Sequence, residues 1–277
     1  MTSKVKYRSW TVPDPCGALV LVHGMGAGTE RWEYLAQYFN RKNVSVYAVS
    51  LRGFDGTGGL EGHVDSFETY HSDIKDLCEI VRKEVPSSKL FLLGESMGAV
   101  IVFDMAARGV DICDGCILIS PAFRSRLKFH PARYLQILAA MLFAPRKQFR
   151  MPFNARMCTA DTEAAFKMEK DPAEHRYATA GLLFEIFKRQ VSAAEQAKKI
   201  TLPVLFLLSM DDDIVDPEKS IRVFGNVGKE KETGPKAPGK VTHPANVLKK
   251  YPGMKHALSV EAGRENVFDD IYNWAFG

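Results

Sequence analysis

Short, continuous apolar runs recur along this chain, with amphipathic segments between them. Ala18 to Val22, Val44 to Val49, Leu90 to Leu93, Cys116 to Ile119 and Val204 to Leu208 are apolar at most positions, and Asn246 to Tyr251 is a more polar sixth candidate. A strand with one wet face alternates apolar and polar residues, whereas a run apolar throughout suits a strand covered on both faces. Arg31 to Asn40, Ser66 to Val85, Met97 to Arg108, Pro217 to Phe224 and Glu265 to Ala275 instead place apolar residues three and four apart, as amphipathic helices do. Alternation of the two patterns predicts βαβ units: an α/β fold with a mostly parallel central sheet and helices on both faces.

The alternation is interrupted once. Between Ser120 and Pro203 lie about 80 residues of helical periodicity with few strand signals, too long for an ordinary connection. The expectation is a core built from residues 1–120 and 201–277, with a helical cap inserted at 121–200. Within the cap, Tyr134 to Phe143 (YLQILAAMLF) is apolar nearly all round, which suits either a buried cap helix or one that faces lipid or an acyl chain. On the second reading Leu138, Met141 and Leu142 are candidate substrate contacts. Arg124, Arg126, Lys128, His130 and Arg133, followed by Arg146, Lys147 and Arg150, make this stretch locally basic. That is a solvated helix face or a patch for a membrane surface or another anionic ligand. Asn226 to Pro244, rich in Gly, Pro and Lys, reads as a mobile surface loop.

Composition excludes several classes. A chain of 277 residues with 46% hydrophobic and 25% charged residues can bury a sizeable core. A net charge of +4, from 37 basic and 33 acidic residues, gives no reason to expect nucleic acid as a partner. Cys16, Cys78, Cys113, Cys116 and Cys158 are odd in number and irregular in spacing, which suits free thiols in a reducing compartment. The Cys113 to Cys116 CxxC step lacks a second ligand pair, so buried structural cysteines are expected and no metal. The N-terminal MTSKVKYRSW has no apolar signal-peptide core, and no run is long enough to span a bilayer, so the expected location is cytoplasmic.

Four segments carry candidate chemistry. Gly94-Glu95-Ser96-Met97-Gly98 sits directly after one strand candidate and before a helix candidate. The string GxSxG alone arises by chance in about one such chain in ten, so its setting is what matters. A nucleophile elbow needs that strand, sharp turn and helix, with hydrogen-only side chains where the turn is tightest. His23-Gly24-Met25-Gly26, after the first strand candidate, is placed to supply an oxyanion loop. The amides of Met25 and Met97 are the proposed donors, each worth about 3 kcal/mol toward a developing oxyanion. His23 itself, at a strand end, reads as a structural hydrogen-bonding residue, and Gly24 and Glu95 are further candidates for contact with substrate.

The third segment, LFLLSMDDDIVDP, is a strand followed at once by carboxylates, and spacing from the strand and from the Ile214-Val215 pair favours Asp212. Asp216 before Pro217 suits a helix N-cap. In the fourth, His256 lies in a turn between the last strand candidate and the C-terminal helix. His63 and His71 precede the nucleophile, His130 and His175 fall in the cap, and His243 lies in the Lys- and Pro-rich loop. A neutral His256 can take the Ser96 proton while Asp212 orients the ring, with no metal or organic cofactor required.

Together the segments resemble the α/β-hydrolase superfamily, and within it the monoacylglycerol lipase and lysophospholipase group of serine hydrolases, over nearly the whole chain. HGMGAGTERWEYLAQYF is similar to that group's oxyanion loop and first helix, LRGFDGTGG to its Arg-Gly turn, EGHVDSFETYHSDI to its GHV-x-SF-x-x-Y-x-x-D stretch and GESMG to its GxSMG elbow. SMDDDIVDP and GMKHAL then align Asp212 and His256 with the group's acid and base. Ser50, Ala99 and Ser209 depart from residues frequent in the group, and the cap matches least. The resemblance implies a carboxylic-ester hydrolase acting through an acyl-enzyme on a medium-chain or glyceride-like small-molecule ester, and the apolar cap with its adjacent basic residues points to peripheral contact with an anionic lipid surface. A thioesterase, acyltransferase or peptidase on the same scaffold, or a non-catalytic ligand receptor, are the alternative readings.

Overall fold

The computed structural model describes residues 5–86, 88–229 and 245–277. A seven-stranded sheet organises it, built from β1 (Tyr7–Trp10), β2 (Gly17–Val22), β3 (Val44–Val49), β4 (Lys89–Glu95), β5 (Gly115–Ile119), β8 (Val204–Ser209) and β9 (Val247–Tyr251) in the order β1-β3-β2-β4-β5-β8-β9. Every pairing is parallel except β1 with β3. The apolar runs became the central strands, and alternate residues of each run enter different layers. Val20, Val22, Leu92, Leu118 and Phe206 face one cluster, with α2 (Phe67–Glu84), α3 (Met97–Ala107) and α8 (Pro217–Phe224) packed over them. Leu19, Leu21, Leu93, Ile117 and Leu207 face the other, beneath α1 (Glu33–Arg41) and α9 (Arg264–Ala275). Each such side chain, fully buried, contributes about 1.5–3 kcal/mol, so neither layer can be exposed cheaply.

The edge strands follow a different logic. β1 carries YRSW, with Arg8 paired to Glu30 and Glu33, and it gives no apolar run in the sequence. β9, at the opposite edge, exposes Lys249 and Lys250, charges that discourage further strand addition. Helix starts are capped as their sequences allow. Ser66 accepts from the Glu68 amide at 3.2 Å, and Asp216 accepts from the Glu218 amide at 3.1 Å ahead of Pro217.

Between β5 and β8 the chain forms α4 (Pro131–Phe143), α5 (Ala155–Cys158), α6 (Thr162–Lys170) and α7 (Ala180–Lys199), together with a short antiparallel ribbon of β6 (Gln148–Arg150) and β7 (Tyr177–Thr179). The ribbon is a departure from an all-helical insertion: at three residues a strand, it is too short to leave a periodic signal. α7 anchors the segment, with Arg189 held by Glu185 at 2.6 Å and by Asp104 of α3 at 3.3 Å. Among the described residues no helix is long and apolar enough to cross a membrane. Most of the Asn226 to Pro244 loop, His243 included, lies outside the described residues.

Candidate active site

Ser96 sits between β4 and α3 with φ 59° and ψ −116°, a conformation that L-residues rarely adopt. Two glycines permit it. A Cβ on Gly94 would lie 2.4 Å from the Gly98 backbone, and one on Gly98 would lie 2.1 Å from the Val22 carbonyl oxygen. The Ser96 amide donates to the Ile119 carbonyl at 2.9 Å, tying the strained turn to the neighbouring strand.

The other two residues of the constellation arrive from the ends of β8 and β9. His256 Nε2 lies 2.9 Å from Ser96 Oγ, and its Nδ1 lies 2.7 Å from Asp212 Oδ2. Asp212 is buried, and its Oδ1 accepts from the amides of Ile214 (2.8 Å) and Val215 (2.9 Å). Its neighbours are employed elsewhere: Asp211 accepts from the Gly253 amide, Asp213 faces Lys255, and Asp216 caps α8. Burial of His256 opposes its charged form, but the adjacent Asp212 carboxylate and its hydrogen bond outweigh this, so the imidazole pKa is raised above 6.5. An imidazole between a hydroxyl and a buried carboxylate can accept the hydroxyl proton and hold the resulting charge.

The remaining described histidines have other settings. His23 is fully buried, with Nδ1 2.9 Å from the Gly24 carbonyl and Nε2 accepting from the Leu51 amide at 3.1 Å. Burial depresses its pKa to about 4, which keeps it neutral as a backbone tie. His175 stacks on Phe54, His63 bonds Thr179 and Asp65, His71 lies against Asp104, and His130 precedes α4.

Ser96 and His256 open on a cavity of about 350 Å³ whose lining includes Gly24, Met25, Glu95 and Met97. Met97 begins α3, so its amide points from a helix N-terminus, while Met25 follows β2 beside the elbow. Glu95 lines the cavity, yet both its oxygens accept from Ser259, which the sequence reading did not single out. The three cap contacts suggested for substrate are not brought to this cavity. Leu138 and Leu142 are 59% and 72% exposed, and Met141 packs with Ile137, Ala140 and Phe149. The reason lies in the seating of α4: Ile137 and Ala140 turn inward, Tyr134 reaches the cavity rim, and the opposite stripe faces outward. The apolar wall instead comes from Leu127, Phe129, Met151, Phe153, Leu183 and Ile186. The helical spacing of Leu183 and Ile186 was a signal of α7, but not of which void it would line.

The motifs of the resemblance meet in space. Arg52 of the Arg-Gly turn makes a bidentate pair with Asp73 at 2.8 Å, and Tyr70 donates to the Arg52 carbonyl at 3.0 Å.

A parallel sheet with a strained serine turn at its carboxyl edge defines the class of α/β-hydrolases. Residues 13–262 match the family described as serine aminopeptidase, S33, and the chain belongs to that family. It is similar to the monoacylglycerol lipase of Mycolicibacterium smegmatis, 26% identical over 98% of this chain and 92% of that one, and to the monoglyceride lipase of Rattus norvegicus, 27% identical over 96% and 85%. The crystal structure of Paleococcus ferrophilus monoacylglycerol lipase superimposes with a TM-score of 0.82 at 24% identity, covering 98% of both chains.

Proposed function

We propose that this protein is a serine carboxylic-ester hydrolase of the monoacylglycerol lipase type, with Ser96 as nucleophile, His256 as base and Asp212 as the acid that orients it. The observation that carries the reading is the continuous chain from Ser96 Oγ through His256, both lining the cavity, to the buried Asp212, at 2.9 and 2.7 Å. Ser96 Oγ attacks the ester carbonyl as its proton passes to His256 Nε2, and the amides of Met25 and Met97 receive the developing oxyanion. Collapse of the tetrahedral adduct breaks the bond to the alcohol, which leaves with the proton from His256. Water, deprotonated by the same nitrogen, then releases the carboxylic acid and restores Ser96.

An acyl chain is the fitting occupant of walls made by Phe129, Met151, Leu183 and Ile186. A serine aminopeptidase would need a free carboxylate to hold a substrate ammonium. Among the described lining residues the acid is Glu95, which is committed to Ser259, and the nearby Glu174 is committed to Arg31 at 2.7 Å; a neutral ester is favoured. Residues 121–200 serve in this reading as the cap. Its outer stripe of Leu135, Leu142 and Phe143, with Arg133, Arg146 and Lys147 alongside, supports docking on an anionic lipid surface that delivers a glyceride-like substrate. Five unpaired cysteines suit a cytoplasmic setting.

The direct test is turnover of p-nitrophenyl esters from short to long chain by the wild type and Ser96→Ala. Turnover that the substitution abolishes is expected. An inactive folded wild type on every ester would move the reading to a ligand receptor on this scaffold.

A further inference from the structure

Glu95 is the residue immediately before Ser96, and it is 2% exposed at the end of β4. A carboxylate so deeply buried is costly unless its oxygens are satisfied and its charge is answered. Both oxygens are satisfied by one residue: Oε1 accepts from the Ser259 amide at 3.1 Å, and Oε2 from the Ser259 hydroxyl at 2.9 Å. Ser259 is fully buried and stands three positions after His256, in the turn that carries the imidazole between β9 and α9. The same turn is held from its other side by Glu261, which accepts from the Lys255 and Ala160 amides.

We propose that Glu95 is a positioning residue: its bidentate grip on Ser259 fixes the turn bearing His256 against the nucleophile strand, and its charge stabilises the imidazolium that forms when Ser96 attacks. The proposal rests on the assignment of Ser96, His256 and Asp212 given above. Charges around the imidazole make the second part specific. Asp212 contacts Nδ1 directly, while Glu95 and Arg31, the latter paired with Glu174 at 2.7 Å, line the same cavity as the ring, as does Cys158. With Arg31 paired to Glu174, Asp212 and Glu95 are the carboxylates that favour the protonated ring, and Arg31 opposes them. Protonation of the ring answers these two carboxylates, so each raises the basicity of Nε2. Burial raises the Glu95 pKa, and Arg31, His256 and the bonds from Ser259 act against that rise.

Glu95 also differs from a substrate contact in what it can offer. Both its oxygens already accept from Ser259, so the side chain is turned toward the His256 turn. Its effect on catalysis therefore passes through His256 rather than through the substrate.

Glu95→Gln keeps the shape and one acceptor while removing the charge, and Glu95→Ala removes both. The His256 imidazole is titrated by NMR in the wild type and in Glu95→Gln, a measurement that needs no turnover and so stands even if the ester-hydrolase reading fails. The expected result is a pKa lower by about one unit in Glu95→Gln. On p-nitrophenyl butyrate, kcat should fall about tenfold for Glu95→Gln, with KM unchanged and the acid limb of the pH profile displaced downward by the same amount. Glu95→Ala should lose about 100-fold in kcat as the turn loosens. Should Glu95→Ala fail to fold, Ser259→Ala reports on the grip, with a smaller kcat loss expected. An unchanged His256 titration in Glu95→Gln, with kcat within twofold of wild type, overturns the proposal. A rise in KM without a change in kcat also overturns it, by making Glu95 a substrate contact.

Discussion

The carboxyl edge of the sheet and the outer face of α4 break opposite rules of protein surfaces. At the sheet edge, polar and charged groups are buried: Glu95, Asp212, His256 and Ser259 are each at most 4% exposed, and each has its hydrogen-bond partners. On α4, large apolar side chains stand in solvent, with Phe143 at 85% and Leu142 at 72% exposure. A buried charge persists where neighbours answer it, and where Ser96, His256 and Asp212 are aligned it would serve the proposed chemistry. An exposed apolar stripe carries no such compensation and has value only if something else covers it. The two regions therefore differ in tolerance: the first is intolerant of single atoms, the second of little beyond loss of apolar area.

The comparison breaks most visibly at Ser96. Replacement by Ala should cost about 10⁶ in kcat, measured on a soluble ester, with the fold retained. Asp212→Asn keeps the size of the side chain but reverses the donor and acceptor roles at His256 Nδ1. About 10⁴ in kcat should be lost, and the His256 pKa should fall toward its ordinary value. Gly98→Ala tests the backbone below the serine. Its Cβ would sit 2.1 Å from the Val22 carbonyl oxygen, a backbone atom of a central strand, so denaturant unfolding should show a loss of about 3 kcal/mol.

A pH profile sharpens the same contrast. As the proposed base His256 acts only when neutral, and its pKa is raised above 6.5, so kcat/KM should climb with pH and level off only above that value. A plateau already reached below 6.5 would mean that Asp212 does not outweigh burial at the imidazole. The smallest effect is expected at the other region. Leu142→Ser on α4 should leave unfolding free energy within about 0.5 kcal/mol, while flotation with anionic vesicles declines. Equal flotation at low and high salt, with Leu142→Ser unchanged, would remove the docking role from this face.

Much of this arrangement was legible in the sequence. Strands buried on both faces must be apolar at nearly every position, so β2 to β5 and β8 announced themselves within a residue or two of their ends. The serine turn was legible because its backbone geometry demands glycine at 94 and 98, a steric demand that composition cannot hide. Asp212 and His256 were legible as side chains at strand ends, the place where such a sheet presents its chemistry. β1, β6 and β7 were not: the first is a polar edge strand, and the other two are too short to show a period.

What the sequence determined by itself was therefore local: which segments are strands and helices, where the strained turn lies, and which residue types stand at the ends of strands. Only the tertiary structure decided the rest, because it depends on contacts between residues remote in the chain. The face of α4 turned outward was set by what Ile137 and Ala140 found to pack against, and no helical pattern apolar on every side can specify that. The grip of Glu95 on Ser259 spans 164 positions, and its meaning comes from burial: in water these groups would be two ordinary polar side chains, while under the sheet edge they are obliged to find each other.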